Sequence, residues 1–322
     1  MKRGTFIVGS PTQGFQAFET KANVYAPNPA SNPVSGPQER SAICSPHFDD
    51  AVLSCWSLLD RDHASSVVNV FTGAPGSDFT YWYDQLNGAA SSAVAMRQRA
   101  EEDRDALAVA GKFPIDLGLL ERQYRLRPSR WLHKLLRNAP LLRFPLLRLP
   151  FLESALHSIA PPDSNQLADS IVKAVPDATS MWVPAGIGGH ADHKLVRQAG
   201  VVLAARGYKV RMYADVPYVL RFGWPQWMAA PDGKRSLDRA STYWAGYLDG
   251  VLKPQEVTSQ AKIIHLTPAE RLRKKEAIRR YATQFDSAGA GRMRGWMRRE
   301  DALAYEVFWE LGSVDRKVSR NS

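Results

Sequence analysis

The chain has 322 residues, 44% of them apolar, enough to bury the core of one large α/β domain. Two cysteines are too few for a disulfide scaffold, and no apolar run approaches a signal-peptide core or the roughly 18 residues of a membrane span. The formal charge of +10 is concentrated at 122–148 and 271–299 without a helix-turn-helix, zinc-finger or RNP-type pattern, so no nucleic-acid partner is expected and a cytoplasmic location is.

Residues 1–38 are rich in Pro, Gly, Ser and Asn and read as an irregular arm, leaving 39–322 as a single domain. Apolar runs at Ser41–Ser45, Val67–Thr72, Ile115–Leu119, Ser180–Pro184, Val210–Ala214 and Ile263–Leu266 read as strands. Between them, amphipathic patterns at Ala51–Leu59, Ala93–Ala110, Ser164–Val175, His193–Ala205 and Pro268–Tyr281 read as helices. This alternation implies an α/β fold, a mainly parallel sheet with helices on both faces. Cys44 and Cys55, set among Ile43, Val52 and Leu53, read as buried thiols. Segment 122–152 alternates Leu, Trp and Phe with Arg and Lys and is broken by Pro; it reads as an insertion capping the core. Its composition leaves peripheral membrane contact open, as the aromatic cluster at 222–247 leaves homo-oligomer packing open.

Two short clusters carry the chemistry. Ser45-Pro46-His47-Phe48-Asp49-Asp50 follows the first strand, and Gly188-Gly189-His190-Ala191-Asp192-His193 follows a later one. In open α/β sheets the C-terminal strand ends form the ligand crevice, so the two clusters are expected to converge there. Between them they offer three ligands for a borderline divalent metal, with a carboxylate and an imidazole to spare. A catalytic metal site needs that set: three protein ligands, an open position and an adjacent acid/base. Either aspartate of the first cluster could instead cap the following helix, but capping explains neither the pair nor His47.

The pattern His-X-Asp-Asp followed by His-X-Asp-His resembles the LmbE-like, or PIG-L-type, zinc-dependent N-deacetylases of amino-sugar conjugates. The resemblance runs from about residue 40 to 285. It includes Val70-Phe71-Thr72-Gly73, Arg99-Ala100-Glu101-Glu102, Tyr213-Ala214-Asp215-Val216-Pro217-Tyr218 and the stretch from Lys275 through Tyr281 to Gln284. It implies a Rossmann-like fold with Zn2+ on His47, Asp50 and His193, and Asp49 as general base. It further implies that His190, oriented by Asp192, stabilises the oxyanion or protonates the leaving amine. Phe48, Ala51, Trp56 and Gly188 stand where the family often has Pro, Glu, Gly and, in some bacterial members, Tyr.

Substrate contacts are expected from Tyr218, from Trp224 among the aromatics, and from Arg99, unless Arg99 pairs with Glu102 on its own helix. The implied substrate is an N-acetylated amino-sugar conjugate. A metal amidase acting on a non-sugar amide is the alternative, and a basic binding module with a vestigial metal site stands behind both.

Overall fold

The computed structural model describes residues 39–61, 66–76, 80–81, 84–85, 87–128, 156–221, 261–285 and 303–311. The 1–38 arm, most of the 122–152 segment and Trp224 lie outside these residues.

Among the described residues, seven strands form one sheet: β1 (Ser41–Ser45), β2 (Ser66–Asn69), β3 (Pro114–Asp116), β6 (Ser180–Pro184), β7 (Lys209–Tyr213), β8 (Lys262–His265) and β9 (Tyr305–Glu310). Their order is β3-β2-β1-β6-β7-β9-β8. The first five in that order are parallel, and β9 runs antiparallel to both of its neighbours. Every residue of β1 and β6 is buried, as expected of central strands covered on both faces. Two strands have the bounds read from sequence, and the other four shift by one to three residues.

The chain leaves β1 for β2 and β3, then returns to the other side of β1 as β6 and β7. The boundary between β1 and β6 is therefore the point where the strand order reverses, the ligand position of doubly wound sheets. Both His/Asp clusters leave strands at that boundary.

The helices are α1 (Asp50–Ser54), α2 (Trp56–Arg61), α3 (Ser92–Ala108), α4 (Arg122–Arg125), α5 (Ser164–Ala174), α6 (Ala191–Ala205), α7 (Pro268–Ile278) and α8 (Ala282–Phe285). Helices α5 and α6 pack together, with α6 against β6 and β7, while α7 packs against α1, α2 and α3. The single helix expected at Ala51–Leu59 is two, broken at Cys55. The break lets the Glu306 carboxylate, from β9, accept the N–H groups of Trp56 at 2.7 Å and Ser57 at 2.9 Å. Lys274 of α7 donates to the same carboxylate at 2.7 Å, and both side chains are fully buried.

A small antiparallel pair, β4 (Leu126–Pro128) with β5 (Leu156–Ser158), closes the base of the basic segment. The Ile159 N–H donates to the Arg125 carbonyl at 3.0 Å just beyond it.

Candidate metal centre and active site

The first cluster is shaped by its own first residue, to which the sequence alone assigns no role. Ser45 Oγ donates to the His47 carbonyl at 2.7 Å and accepts the Ala51 N–H at 3.0 Å. The serine thereby takes a helix N–H that an aspartate cap would otherwise satisfy. Asp49 makes no side-chain cap bond, and Asp50 Oδ2 accepts the His47 N–H at 2.9 Å. Asp49 has φ +95° and ψ −33°, a positive φ that no other described non-glycine residue shows. Its N–H donates to Asp103 Oδ1 at 3.3 Å. Asp103, buried in α3, also accepts Asn69 Nδ2 at 2.7 Å and the Tyr281 hydroxyl at 2.7 Å.

The second cluster enters α6 through a glycine turn. Gly188 has φ +95°, and a Cβ there would stand 2.7 Å from Tyr218 Cβ. Only glycine suits that backbone, and its missing side chain is what lets Tyr218 close on the turn.

The clusters meet as expected. His47, His190 and His193 each present a donor atom within 4.8 Å of the others. Asp50 Oδ2 lies 3.4 Å from His47 Nδ1 and 3.3 Å from His193 Nε2. Two donors bound at about 2.0–2.1 Å to a tetrahedral zinc stand about 3.3–3.4 Å apart, so His47, Asp50 and His193 fit such an ion. The far nitrogens fit it too: His47 Nε2 meets Asp192 Oδ2 at 3.0 Å and His193 Nδ1 meets Asp215 Oδ1 at 2.7 Å. A carboxylate behind each ring is the usual support of metal-ligating histidines. Among the described residues, no hydrogen bond satisfies the buried His193 Nε2 or His190 Nδ1.

Asp192 is thus bound to His47 and not to His190. Its Oδ2 also accepts the Arg122 N–H at 2.9 Å, and its Oδ1 accepts Arg125 Nη2 at 2.6 Å. The expectation that Asp192 orients His190 is corrected accordingly: both of its oxygens are taken by other partners.

Charge at the site follows from burial and these contacts. Burial opposes ionisation of Asp50, but His193 and His47 hold its carboxyl below the usual range. Burial and the Asp50 charge push Asp49 up. Burial likewise opposes protonation of His47 and His193, yet Asp192 and Asp50 raise the first, while Asp50 and Asp215 bring the second up to about 9. His190 is brought down to about 3 by burial and by the other two rings, which leaves it neutral at pH 7. The carboxylates draw positive charge onto the two supported rings, a demand a divalent cation would meet.

A cavity of about 410 Å³ opens on this cluster, lined among others by Asp49, His190, Arg99, Glu121, Tyr218 and Gln284. Arg99 lies over the Phe48 ring at 5.7 Å and donates to Glu121 Oε1 at 2.6 Å. Its partner is therefore Glu121 and not Glu102, whose carboxylate accepts the Thr283 N–H at 2.8 Å and hydroxyl at 2.6 Å. The Tyr218 ring stands 5.1 Å from His193 and 5.9 Å from His190. Asp103 and Arg125, and the roles of Ser45 and Asp215, were not read from sequence. Ser45 and Asp215 left a signal, standing inside the Ser45–Asp50 cluster and the Ala214-Asp215-Val216-Pro217 run.

No family model matches the chain. A curated relative, 2'-N-acetylparomamine deacetylase of Niallia circulans, is 27% identical over 210 residues, covering 56% of this chain and 70% of the relative. Among solved structures, the zinc-inhibited form of teicoplanin deacetylase aligns with TM-score 0.57 at 23% identity, over 86% of this chain and 99% of that one. The deacetylase of A40926 pseudoaglycone aligns with TM-score 0.54 at 21% identity, over 85% and 97%. These structures share the α/β fold described above.

Proposed function

We propose, for a chain that belongs with the LmbE-like, PIG-L-type N-deacetylases, metal-dependent hydrolysis of an N-acetyl or longer N-acyl group on an amino-sugar conjugate. The observation that carries it is the placement of Asp50 Oδ2 at 3.4 and 3.3 Å from two imidazole nitrogens, each ring backed by a buried carboxylate. Acetylated paromamine, the substrate in the curated relative's name, places that relative's chemistry on an amino-sugar nitrogen.

His47, Asp50 and His193 would hold Zn2+, which when bound polarises a carbonyl and lowers the pKa of water to about 7. Asp49, at the cavity wall and with its proton affinity raised, accepts the proton of the attacking water. The new C–O bond forms at the amide carbon, and the proton taken up by Asp49 passes to the departing nitrogen as the C–N bond breaks, giving a carboxylate and a free amine. His190 is a neutral ring on the cavity wall, so it serves the oxyanion or the leaving nitrogen through a ring N–H. Arg99, Glu121 and Tyr218 line the same cavity, where they would fix hydroxyls of a sugar.

The test is acetate release from a panel of N-acetylglucosaminyl conjugates, with and without chelator, with zinc titrated because a similar deacetylase has a zinc-inhibited form. Chelator-sensitive release, and loss of bound metal in His47→Ala and His193→Ala, are expected. Full metal occupancy in both variants would refute the ligand assignment. Release only from non-sugar amides would favour the amidase alternative.

A further inference from the structure

We propose that Arg125 is a positioning residue for the metal centre, holding Asp192 against His47 so that the ring keeps the tautomer and plane in which Nδ1 faces the metal. The inference rests on the metal reading above and adds to it a residue from outside both clusters.

Asp192 is fully buried, and its two oxygens are divided between separate tasks. Oδ2 meets His47 Nε2 at 3.0 Å and the Arg122 N–H at 2.9 Å, and Oδ1 meets Arg125 Nη2 at 2.6 Å. A carboxylate acceptor on Nε2 fixes the proton there and leaves the Nδ1 lone pair for the ion. The guanidinium compensates the charge of that carboxylate, which would be costly to bury alone.

Arg125 is itself held. Its Nη1 donates to the Leu120 carbonyl at 2.6 Å, and its guanidinium lies over the Phe71 ring at 5.1 Å, the ring whose centroid stands 6.1 Å from that of His47. A planar fork stacked on one face and bonded at two nitrogens has little freedom left, which suits it to aim a carboxylate. Arg125 is 6% exposed and is absent from the cavity wall, whereas Arg122 and Gln123 line it. It therefore acts through Asp192 and not on substrate. His193 is supported differently: Asp215 is held by the Ile187 N–H at 2.9 Å.

The arrangement ties the metal to the basic segment. Arg125 ends α4, β4 begins at the next residue, and the Arg125 carbonyl receives the returning chain at Ile159. The foot of the segment and the support of His47 are one residue.

The experiment is zinc competition against a chromophoric chelator for wild type, Arg125→Met, Arg125→Lys and Asp192→Asn, with the melting temperature of each metal-free protein as the fold check. Methionine keeps bulk over Phe71 but removes the donors and charge. We expect Arg125→Met to weaken zinc by about 10–100-fold, as loss of such outer contacts does elsewhere, and Arg125→Lys to fall between it and wild type. In the Asp192→Asn background, Arg125→Met should add less than about 3-fold, because the carboxylate it acts through is gone. Wild-type affinity in Arg125→Met, or the same loss in both backgrounds, overturns the inference alone. Wild-type protein that takes up no zinc overturns it together with the functional reading. Should Arg125→Met not fold, Arg125→Lys carries the same comparison.

Discussion

Asp49 is held in a backbone region that costs a non-glycine residue about 1–3 kcal/mol, and such strain survives only where neighbours fix it. Here the neighbour is Asp103, through the 3.3 Å bond from the Asp49 N–H. Both Asp49 and Asp50 line the cavity, and Asp50 also stands 3.4 and 3.3 Å from nitrogens of His47 and His193. Asp49→Asn should retain zinc by metal analysis but lower kcat by at least ~10²-fold, the usual contribution of a general base. Near-normal turnover with zinc bound would move the role to another group. Asp103 carries its own signature. Burial lifts its carboxyl to about 6, against the hydrogen bonds from Tyr281, Asn69 and Asp49. The folded protein then keeps a proton that the unfolded chain loses near 3.8, so this group lowers stability as pH rises from about 4 to about 6. Denaturation of wild type and Asp103→Asn across that interval should show wild type losing ground to the variant. Parallel curves would place the titration elsewhere. The His-X-Asp-Asp and His-X-Asp-His clusters were legible because their functional groups are sequence neighbours. Asp103 and Arg125 were not, since each acquires meaning from a partner 54 or 67 positions away.

At the level of elements, α7 shows what local sequence can specify. Thr267, Pro268 and Glu270 spell a helix start, and the structure has the reciprocal bonds: Glu270 N–H to Thr267 Oγ1 at 3.2 Å and Thr267 N–H to Glu270 Oε2 at 2.7 Å. Thr267→Ala should cost about 1 kcal/mol by chemical denaturation with unchanged zinc affinity, because the hydroxyl it removes bonds Glu270 and no proposed ligand. The break of the first helical run at Cys55 was illegible for the opposite reason. Nothing near Cys55 forbids a continuous helix; the interruption is stabilised by Glu306, some 250 residues on. β9 itself was missed because a charged residue sits in the second position of Tyr305-Glu306-Val307-Phe308-Trp309-Glu310, where a buried strand should be apolar. Its charge is compensated by Lys274, which only the fold reveals.

For the whole molecule, the reversal of strand order between β1 and β6 explains why motifs some 140 residues apart build one site. The parallel half of the sheet was readable from alternating strands and helices. The antiparallel end was not, because its pairing depends on contacts that no local pattern encodes. The foot of the basic segment is the β4–β5 pair, which begins at the residue after Arg125. Replacing residues 129–155 with a short Gly/Ser linker, which spares α4, β4 and β5, should preserve zinc binding and turnover of a minimal N-acetyl sugar. Turnover of a larger, anionic or lipid-bearing conjugate should fall, if the segment selects the acceptor. Equal handling of both substrates by the folded variant would make the segment structural only.

The position of β9 has a consequence for how the molecule is made. A ribosome delivers β1, β2, β3, β6 and β7, and with them every proposed metal ligand, before residue 214. The strand that lies against β7 arrives some ninety residues later, and β8, already synthesised, has no place in the sheet until it does. During that interval the nascent chain carries an open edge of unpaired backbone groups, the template on which strands of other chains add. Lys274 meanwhile waits without Glu306. A chain released at residue 300 should therefore sediment as aggregate where the full chain stays dispersed, even though it contains the entire proposed metal centre. Strand β9 is the seal that ends this vulnerable phase of synthesis.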